Sequence, residues 1–355
     1  MSKRKRAMQL KYKVIPSFVA ITRLLNLKKR QEIFTALAEM HGNIPDDMVA
    51  GADFCIFNFI NSCQEGFEVK VGIPVREKFA VTDDMLCEIM PELEVLSLEH
   101  GEDAENINNS YNQLYSSAYE RGLISDEFCR EVYHTGKQKE YFLELQFVIH
   151  NWNRLLMKKL TGDLSKEACT EMMAGAEKIG WDTPEPDRFQ WLRQVMLKIE
   201  RSLSKDQQYE IISRCAHVYP RRQLVKLRQV YEQALEEGKD NLLAVDAVIQ
   251  FMARDKGWGN VPVREGNIVY STKNPCNPQA FKDAETAAEK RKAYCFCPQI
   301  RAHLEEDLSP AYCYCSAGWE RQQWETALDR TVRVEVVKSL LLGDDCCQFA
   351  IHIPE

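Results

Sequence analysis

The segment FEVKVGIPV, residues 67–75, alternates with a period of two, which restricts the first part of the chain to an architecture that contains a sheet. Its odd-numbered residues are all apolar: Phe67, Val69, Val71, Ile73 and Val75. Glu68 and Lys70 fall on the opposite face, and Pro74 is tolerated because it lies near the end of the segment. This alternation predicts a β-strand with one buried face, so something must cover that face.

Strand and helix patterns follow one another through the first 150 residues. Apolar residues recur at three- and four-residue spacing in 28–43 and 103–122, which predicts two helices. A shorter capped helix is predicted at 125–134, beginning at Ser125 or Asp126. The other patterned segments are predicted strands: 10–20, 53–60, 67–75, 93–100 and 141–150. The resulting order, strand–helix–strand–strand and then strand–helix–strand, indicates an internal duplication.

The charge of the chain argues against a protein that binds nucleic acid. Lys and Arg number 46 and Asp and Glu 53, so the net charge is −7, whereas nucleic-acid binders usually present a basic face. No apolar run reaches the roughly 18 residues that span a bilayer, and the basic start MSKRKR leads into no apolar signal segment. We therefore predict a cytoplasmic protein that contacts neither nucleic acid nor membrane. Most of its thirteen cysteines are then expected to be small buried thiols.

The strand predicted at 141–150 carries a carboxylate in apolar surroundings. One of its faces is apolar throughout: Tyr141, Leu143, Leu145, Phe147 and Ile149. On the other face, Glu144 lies beside Phe142, Gln146 and Val148. A carboxylate with such neighbours is costly to bury unless it has a cationic partner. Glu144 therefore anchors a cation, pairs with a Lys or Arg of the chain, or faces solvent.

Three segments resemble, in their order and spacing, the GyrI-like domain, also described as the AraC-type effector-binding domain: FEVKVGIPV, LEVLSLEHGEDAENINNSYNQLYSSAYERGLI and LELQFVIH. The resemblance covers roughly residues 8–152. It implies a duplicated βαββ-type domain whose helices cover one face of a sheet. The other face would form a groove for a small ligand, often cationic or aromatic. Many relatives have a DNA-binding segment in front of this domain, and the expectation here is a domain without one.

The resemblance implies a ligand-facing acidic residue in the last strand, so Glu144 is the predicted cation anchor. Tyr111 and Tyr115 lie four residues apart on one helix and would offer aromatic faces to a cation, although packing alone also explains them. The complete set of predicted ligand-binding residues is Glu144, Tyr111, Tyr115, Phe142, Phe54 and Ile56. Because some relatives hydrolyse small reactive molecules, Glu144 is also a candidate general base.

The second half of the chain is predicted to combine helices with a small antiparallel sheet. Residues 151–165 shift from strand to a basic linker, which indicates a domain boundary, and 165–256 carry helical apolar stripes. NIVYST at 267–272 is a predicted strand. Beyond a helix at 318–328, an LGDD turn is predicted to join two strands into a hairpin.

The last part of the chain carries the phrase CYCSAGW and a tail that ends in GDDCCQFAIHIPE. These letters resemble the family that includes L-2-amino-thiazoline-4-carboxylic acid hydrolase, and the related 4-vinyl reductase domains. The resemblance covers about 190–355, and Cys313, Cys315 and Cys347 are the matching positions. It implies a Cys-rich helical subdomain beside a small α+β sheet with an internal pocket. We accordingly predict a second domain at 165–355.

The phrases AYCFC and AYCYC repeat one pattern and supply four candidate metal ligands: Cys295, Cys297, Cys313 and Cys315. On a flat strand, residues two apart lie roughly 6.6 Å apart along the chain, so one Cys-x-Cys pair chelates zinc poorly. A zinc or iron site would need all these thiols to converge, and no cofactor is favoured.

Two other interpretations of these cysteines stay open. A thiolate nucleophile, with Cys315 or Cys347 as the candidate, would need a base such as His303 or His352 and a lowered pKa. The second interpretation is a pocket lined by neutral thiols and aromatic rings, which requires neither a base nor a lowered pKa. The sequence therefore leaves it open whether the C-terminal half is catalytic.

Taken together, the patterns predict an α+β protein with a duplicated N-terminal domain, followed by a helical subdomain packed on a small antiparallel sheet. The predicted function is binding or sensing of a small cationic or aromatic molecule. A hydrolase of a small heterocyclic or reactive molecule, using the Cys-rich pocket or Glu144, is the alternative. A small-molecule ligand is the expected partner, and homodimerisation stays open.

Overall fold

A computed structural model of the chain describes residues 10–58, 67–82, 84–100, 107–121, 123–135, 141–150, 152–217, 219, 221–255, 258 and 260–354. The chain divides into two compact units, Met1–His150 and Asn151–Glu355, which we call the N-terminal and C-terminal units. Each unit contains its own sheet together with helices, so the α+β class predicted from the sequence is confirmed.

The N-terminal unit is built on an eight-stranded antiparallel sheet. Its strands are β1 (Lys11–Ile15), β2 (Phe18–Leu27), β3 (Asp53–Asn58), β4 (Phe67–Val75), β5 (Leu86–Met90), β6 (Leu93–His100), β7 (Ile124–Thr135) and β8 (Tyr141–His150). Its helices are α1 (Gln31–His41) and α2 (Ile107–Glu120). The strand order is β1-β6-β8-β7-β3-β4-β2-β5, so β7 lies between β8 and β3 in the interior of the sheet.

The predicted duplication is present, with one correction. The orders β2-α1-β3-β4 and β6-α2-β7-β8 repeat the same arrangement. The short helix predicted at 125–134 is wrong, because this segment is strand β7. Its backbone pairs with β3 on one side and β8 on the other. Hydrogen bonding along both edges outweighs the local capping pattern that suggested a helix.

Helices α1 and α2 cover one face of this sheet. The apolar face of β4 is buried as predicted: Val69, Val71, Ile73 and Val75 join the core beneath α1. From α1, Ile33, Leu37 and Met40 enter the same core. On α2 the stripe is buried at Tyr111, Leu114 and Ala118, whereas Tyr115 stays 50 % exposed.

The C-terminal unit combines helices with a four-stranded antiparallel sheet. Its helices are α3 (Trp152–Asp163), α4 (Lys166–Met172), α5 (Glu185–Ser202), α6 (Lys205–Ser213), α7 (Arg221–Glu236), α8 (Asn241–Arg254), α9 (Pro278–Asp283), α10 (Ala287–Tyr294) and α11 (Tyr314–Leu328). Its strands are β9 (Val263–Glu265), β10 (Ile268–Thr272), β11 (Arg333–Lys338) and β12 (Gln348–His352), in the order β11-β12-β10-β9. The predicted C-terminal hairpin is confirmed as β11 paired with β12.

The segment interpreted as a basic linker, 151–165, contains helix α3 instead. Trp152, Leu156 and Leu160 recur every four residues and are buried, so the basic residues between them occupy the other side of a helix. The ring of Trp152 lies 5.3 Å from that of Tyr312, which ties α3 to the segment that precedes α11. The four-residue spacing of these apolar residues therefore indicated a helix, which the interpretation as a linker did not take into account.

A glycine in the CYCSAGW phrase permits close packing of α11 against α6. A Cβ atom on Gly318 would lie 1.8 Å from the backbone oxygen of Ser213, at the end of α6. No side chain fits at that separation, because the obstructing atom belongs to the backbone. Gly318 is thus explained by helix packing.

Candidate functional site

Glu131 is a fully buried carboxylate in the middle of the N-terminal sheet. Strand β7 places it opposite Cys55 of β3 and Leu145 of β8, and its residue exposure is 0 %. Alternation along β7 points Glu131 toward the face that α1 and α2 cover. A carboxylate at such a position is costly unless hydrogen-bond donors or a cation surround it.

Four side chains supply those donors, and one of them is Cys55 of β3, whose Sγ donates to Oε2 of Glu131 at 3.8 Å. The hydroxyl of Tyr111, from α2, donates to Oε1 of Glu131 at 2.6 Å. The hydroxyl of Tyr133, two residues along β7, donates to Oε2 at 2.9 Å. The guanidinium of Arg30, the residue that precedes α1, donates to both carboxylate oxygens. The residue before α1, helix α2 and strands β7 and β3 thus each contribute one partner to Glu131.

Aromatic rings surround this ion pair. The guanidinium carbon of Arg30 lies 5.6 Å from the centroid of the Phe57 ring. Phe57 in turn meets the Tyr111 ring edge-on, with centroids 6.2 Å apart. We call the group of Glu131, Tyr111, Tyr133, Arg30 and Phe57 the Glu131 site. It is a place where a positive charge lies between a carboxylate and an aromatic face.

The pKa shifts describe the charge state of the Glu131 site. Burial by itself lowers the pKa of Arg30, but the hydrogen bond and negative charge of Glu131 raise it above its ordinary value. Burial raises the pKa of Tyr111, and the Glu131 charge raises it further. Burial also raises the pKa of Tyr133. Both tyrosines are therefore protonated donors at neutral pH.

The two partners of the ion pair differ in their access to solvent. The side chain of Glu131 is 0 % exposed, whereas that of Arg30 is 44 % exposed. Within the Glu131 site the carboxylate is thus fixed in the interior, and the cation that neutralises it is reached from outside. A different cation can take the place of the guanidinium only if it also compensates the buried negative charge.

The structure does not bring the six predicted ligand-binding residues together. Glu144 pairs in register with Val132, so it faces away from Glu131 and from α2. Phe142 shares that face and stacks on His134 at 4.6 Å. Tyr115 lies on the helix side instead, with its ring centroid 6.3 Å from that of Phe147.

Phe54 and Ile56 lie on the same face as Glu144. Phe54 is fully buried and packs with Ile56 in a small apolar cluster that includes Val132. The guanidinium of Arg130 lies 4.4 Å from the Phe54 ring centroid. Of the six predicted residues, Tyr111 is the one that hydrogen-bonds Glu131 within the described part of the chain, and the sheet separates it from Glu144, Phe142, Phe54 and Ile56.

The carboxylate of Glu144 is occupied by partners from its own unit. Nζ of Lys13 lies 2.6 Å from Oε1, Nε2 of His134 lies 2.9 Å from Oε2, and the Gln146 amide donates at 3.1 Å. Burial by itself raises the pKa of Glu144, but these hydrogen bonds outweigh it and hold the pKa at about 2. Pairing with a lysine, one of the alternatives open from the sequence, is therefore observed, and an anchor role for Glu144 stays a prediction.

Sequence reasoning missed Glu131, Tyr133 and Arg30. The sequence did contain evidence for a strand here, because Cys129, Glu131 and Tyr133 alternate with Arg130 and Val132. This alternation was overlooked because a helix was predicted at 125–134. Once the segment is a strand, Glu131 has the same character as Glu144, a carboxylate on an otherwise apolar or aromatic face.

The two Cys-x-Cys phrases of the C-terminal unit do not lie on strands. Cys295 ends α10, and the carbonyl oxygen of Cys297 accepts backbone hydrogen bonds from Ile300 and Arg301 at 3.2 and 3.0 Å. Cys313 closes a 3-10 turn before α11. The cysteines of each phrase are therefore not held at the separation of residues on a flat strand.

Four other thiols, those of Cys295, Cys313, Cys315 and Cys347, lie near enough to Cys297 for its negative charge to raise their pKa values. Interaction with the Cys295 thiol lowers the pKa of Cys297 below its ordinary value, and the positive charge of Lys273 acts in the same direction. Both phrases and Cys347, the residue before β12, therefore lie in one region of the C-terminal unit.

The candidate nucleophiles Cys315 and Cys347 are protonated at neutral pH, because burial raises the pKa of both thiols. The Sγ atom of Cys315 donates to the backbone oxygen of Cys215 at 3.5 Å. The candidate bases are engaged elsewhere, since His303 bonds Glu185 and Glu306. His352 lies 3.5 Å from a carboxylate oxygen of Glu335.

A surface cavity of about 500 Å³ lies beside α9 and α10 of the C-terminal unit. Its lining mixes acidic and basic side chains: Asp283, Glu285, Glu289, Lys292 and Arg301. Among the residues that the structure describes, no three His, Cys, Asp or Glu side chains are grouped to hold a metal ion. Over the same described ranges, no helix combines the length and apolar character that crossing a membrane requires.

Comparison with known proteins gives one family match, over 282–355, to a family of unknown function, DUF6144. The matched segment contains both Cys-x-Cys phrases and covers less than half of the chain. No curated protein matches the chain.

Several solved structures share a weak likeness with the chain. The EcmrR C-terminal domain is 15 % identical with a TM-score of 0.37, over 41 % of this chain and 98 % of that one. SAV2435 bound to tetraphenylphosphonium is 10 % identical with a TM-score of 0.31, over 41 % and 97 %. A hydrolase from Listeria innocua is 8 % identical with a TM-score of 0.31, over 40 % and 92 %. These scores are too low to support a conclusion about this chain.

Proposed function

We propose that the N-terminal unit binds small organic cations that carry aromatic groups, and that Glu131 is the residue that anchors them. One observation supports this proposal above all others. A carboxylate with no solvent exposure has as its cationic partner an arginine that is 44 % exposed and lies against an aromatic ring. The chain thus holds a positive charge, supplied by its own side chain, at a position that solvent reaches.

Physical chemistry favours this ligand class over others. A buried carboxylate excludes anions, and a neutral ligand that displaced Arg30 would leave the charge of Glu131 uncompensated. An organic cation with delocalised charge loses less hydration free energy on burial than a compact ammonium ion does. The rings of Phe57 and Tyr111 add a favourable cation–π contribution. Exchange of the guanidinium for such a cation keeps the Glu131 site neutral.

A hydrolase remains the alternative predicted from the sequence, but no specific observation favours it. Its candidate thiols, Cys315 and Cys347, have raised pKa values, and the candidate carboxylate Glu144 is held by Lys13. A general base needs a free lone pair directed at a substrate proton. We therefore propose binding as the function of the N-terminal unit.

Thermal unfolding in the presence of tetraphenylphosphonium tests the proposal. This compound, present in the SAV2435 structure, combines a positive charge with four aromatic rings and is a suitable probe. We expect it to raise the Tm of the wild-type chain, because a ligand that binds the folded state stabilises it. Glu131→Gln should abolish the rise, since glutamine keeps the shape and the hydrogen-bond acceptor but removes the charge.

Glu144→Gln provides the matched control. It makes the same substitution at a buried glutamate of the adjacent strand, on the opposite face of the sheet. We expect it to keep the full ligand-induced rise in Tm. The proposal fails if Glu131→Gln, shown to be folded by circular dichroism, responds like wild type. Loss of the response in Glu144→Gln alone would return the anchor role to the residue predicted from the sequence.

A further inference from the structure

His303 joins a segment without regular secondary structure to helix α5. Residues 300–309, which we call the 300–309 segment, lie between α10 and the 3-10 turn that precedes α11, and this described range contains no strand or α-helix. The side chain of His303 is 13 % exposed, and its ring stacks on that of Phe189 from α5, with centroids 3.9 Å and planes 9° apart. Such a segment depends on side-chain contacts for its position, because it has few backbone hydrogen bonds of its own.

Both ring nitrogens of His303 contact carboxylates. Nε2 lies within hydrogen-bond distance of Oε1 of Glu185, the first residue of α5, and Nδ1 within hydrogen-bond distance of Oε1 of Glu306. An ionised carboxylate only accepts hydrogen bonds, so both contacts are favourable only if both ring nitrogens carry hydrogen. A neutral ring would direct a lone pair at one of the two carboxylates. The geometry therefore favours the positively charged imidazolium, and stacking on Phe189 favours it as well.

Helix α5 contacts the 300–309 segment along one side. Glu185, Phe189 and Arg193 follow one another every four residues, so they lie on the same side of the helix. The guanidinium Nε of Arg193 donates to the backbone oxygen of Asp307 at 2.7 Å. Contacts with Glu185 and Phe189 are both made by His303. Two of these three α5 side chains therefore reach the segment through one imidazole ring.

We propose that His303 is a pH-sensitive latch, which holds the 300–309 segment on α5 while its ring is protonated and loosens it when the ring loses that proton. The direction follows from the two carboxylates. The stabilisation is present at lower pH, where the imidazolium donates to both of them, and it is lost as the pH rises. This proposal is independent of ligand binding at the Glu131 site, because it concerns other residues in the other unit.

The other charged groups around His303 do not reproduce this response. From α5, from the segment itself and from α10 they are Glu185, Arg193, Glu305, Glu306, Asp307 and Arg291. Arg193 lies 3.4 Å from the carboxylate of Asp307, and Arg291 lies 3.4 Å from that of Glu305. Arginine keeps its charge and carboxylates ordinarily titrate well below neutral pH, so histidine is the group of this set that can lose a charge as the pH rises past neutral.

Hydrogen exchange measured by mass spectrometry tests the latch. The full chain is labelled at about pH 6 and at about pH 9, and each rate is corrected for the intrinsic pH dependence of amide exchange. We expect corrected exchange in the 300–309 segment to be at least about fivefold faster at the higher pH, whereas helix α8 should change by less than about twofold. His303→Gln removes the charge at every pH, so its segment should exchange rapidly at both.

His352→Gln provides the matched control. His352 lies in the same unit, and its Nε2 is 3.5 Å from a carboxylate oxygen of Glu335. This variant should keep the wild-type pH response of the 300–309 segment. A pH response of equal size in wild type and in His303→Gln, shown to be folded by circular dichroism, would overturn the proposal. An equal response in α8 of the wild type would overturn it too, because the opening would then not be local.

The protonation of the His303 ring supplies a second measurement. The chain has seven histidines, so the His303 signals of a sample labelled with a nitrogen isotope in its histidine rings are identified by their loss in His303→Gln. At neutral pH, nuclear magnetic resonance should show hydrogen on both ring nitrogens of His303. A neutral tautomer at neutral pH would contradict the latch.

Discussion

Two buried glutamates on adjacent strands show how the partners of a carboxylate decide its role. Glu144 accepts hydrogen bonds from Lys13 and His134, and its three protein partners hold its pKa at about 2. Glu131 accepts from two tyrosines and from Arg30, whose side chain extends to solvent. The partners of the first carboxylate all come from the chain's own strands. In the second, the partner cation is the more exposed member of the pair, and for this reason we propose that an external cation competes for its place.

The low pKa of Glu144 predicts a contribution to stability that depends on pH. Its folded-state pKa lies below the ordinary value of 4.5, so its stabilisation is present above pH 4.5 and is lost as the pH falls toward 2. Over that window we expect wild type to lose about 3 kcal/mol more of its free energy of unfolding than Glu144→Gln does. Urea unfolding of both proteins at several pH values measures the difference. Parallel pH profiles would show that Glu144 is not held in its ionised form.

Arg30 is expected to compete with any external cation at Glu131. Arg30→Met removes the competitor and leaves the carboxylate unpaired, so the free variant should lose roughly 2 to 3 kcal/mol of stability. Its affinity for tetraphenylphosphonium should rise by about tenfold or more, because the ligand no longer displaces a guanidinium. Calorimetric titration of both proteins measures this. A fall in affinity would mean that Arg30 assists the ligand instead of competing with it.

At the scale of elements, β7 decides whether the Glu131 site can be recognised, because Glu131 and Tyr133 share one face only if this segment is a strand. Its letters, SDEFCREVYH, combine a capping residue with charges, and a local interpretation favours a helix. Strands β3 and β8 pair with it on both edges, and such long-range pairing is not visible in a single sequence. By contrast, β4 was predicted correctly because its alternation is regular enough to outweigh the local alternatives.

Packing of α11 against α6 yields a prediction about Gly318. Gly318→Ala should destabilise the C-terminal unit by roughly 3 kcal/mol or more, because the new methyl group would overlap the backbone oxygen of Ser213. Gly162→Ala is the matched control, since no atom lies within 4 Å of the corresponding Cβ position in helix α3. That change should stabilise by less than about 1 kcal/mol. Equal Tm values for the two variants would contradict the close contact.

At the scale of the whole molecule, the α+β class followed from the sequence, because periods of two and of three to four residues are local properties. The composition of the Glu131 site did not follow. Arg30 and Glu131 lie 101 residues apart in the sequence, and nothing in either segment identifies the other as its partner. The sequence left the arrangement of the cysteines undecided for the same reason, since the charge of Cys297 acts on the pKa of Cys347 only once the C-terminal unit has folded.

The most direct test of cation binding compares two ligands of the same shape and opposite charge. Tetraphenylphosphonium and tetraphenylborate both carry four phenyl rings, so apolar contact alone would not distinguish them. Calorimetric titration of wild type should show binding of the phosphonium and none of the borate, and Glu131→Gln should lose the phosphonium signal. Equal binding of both ions by wild type, or retained phosphonium binding in folded Glu131→Gln, would contradict a cation site at Glu131.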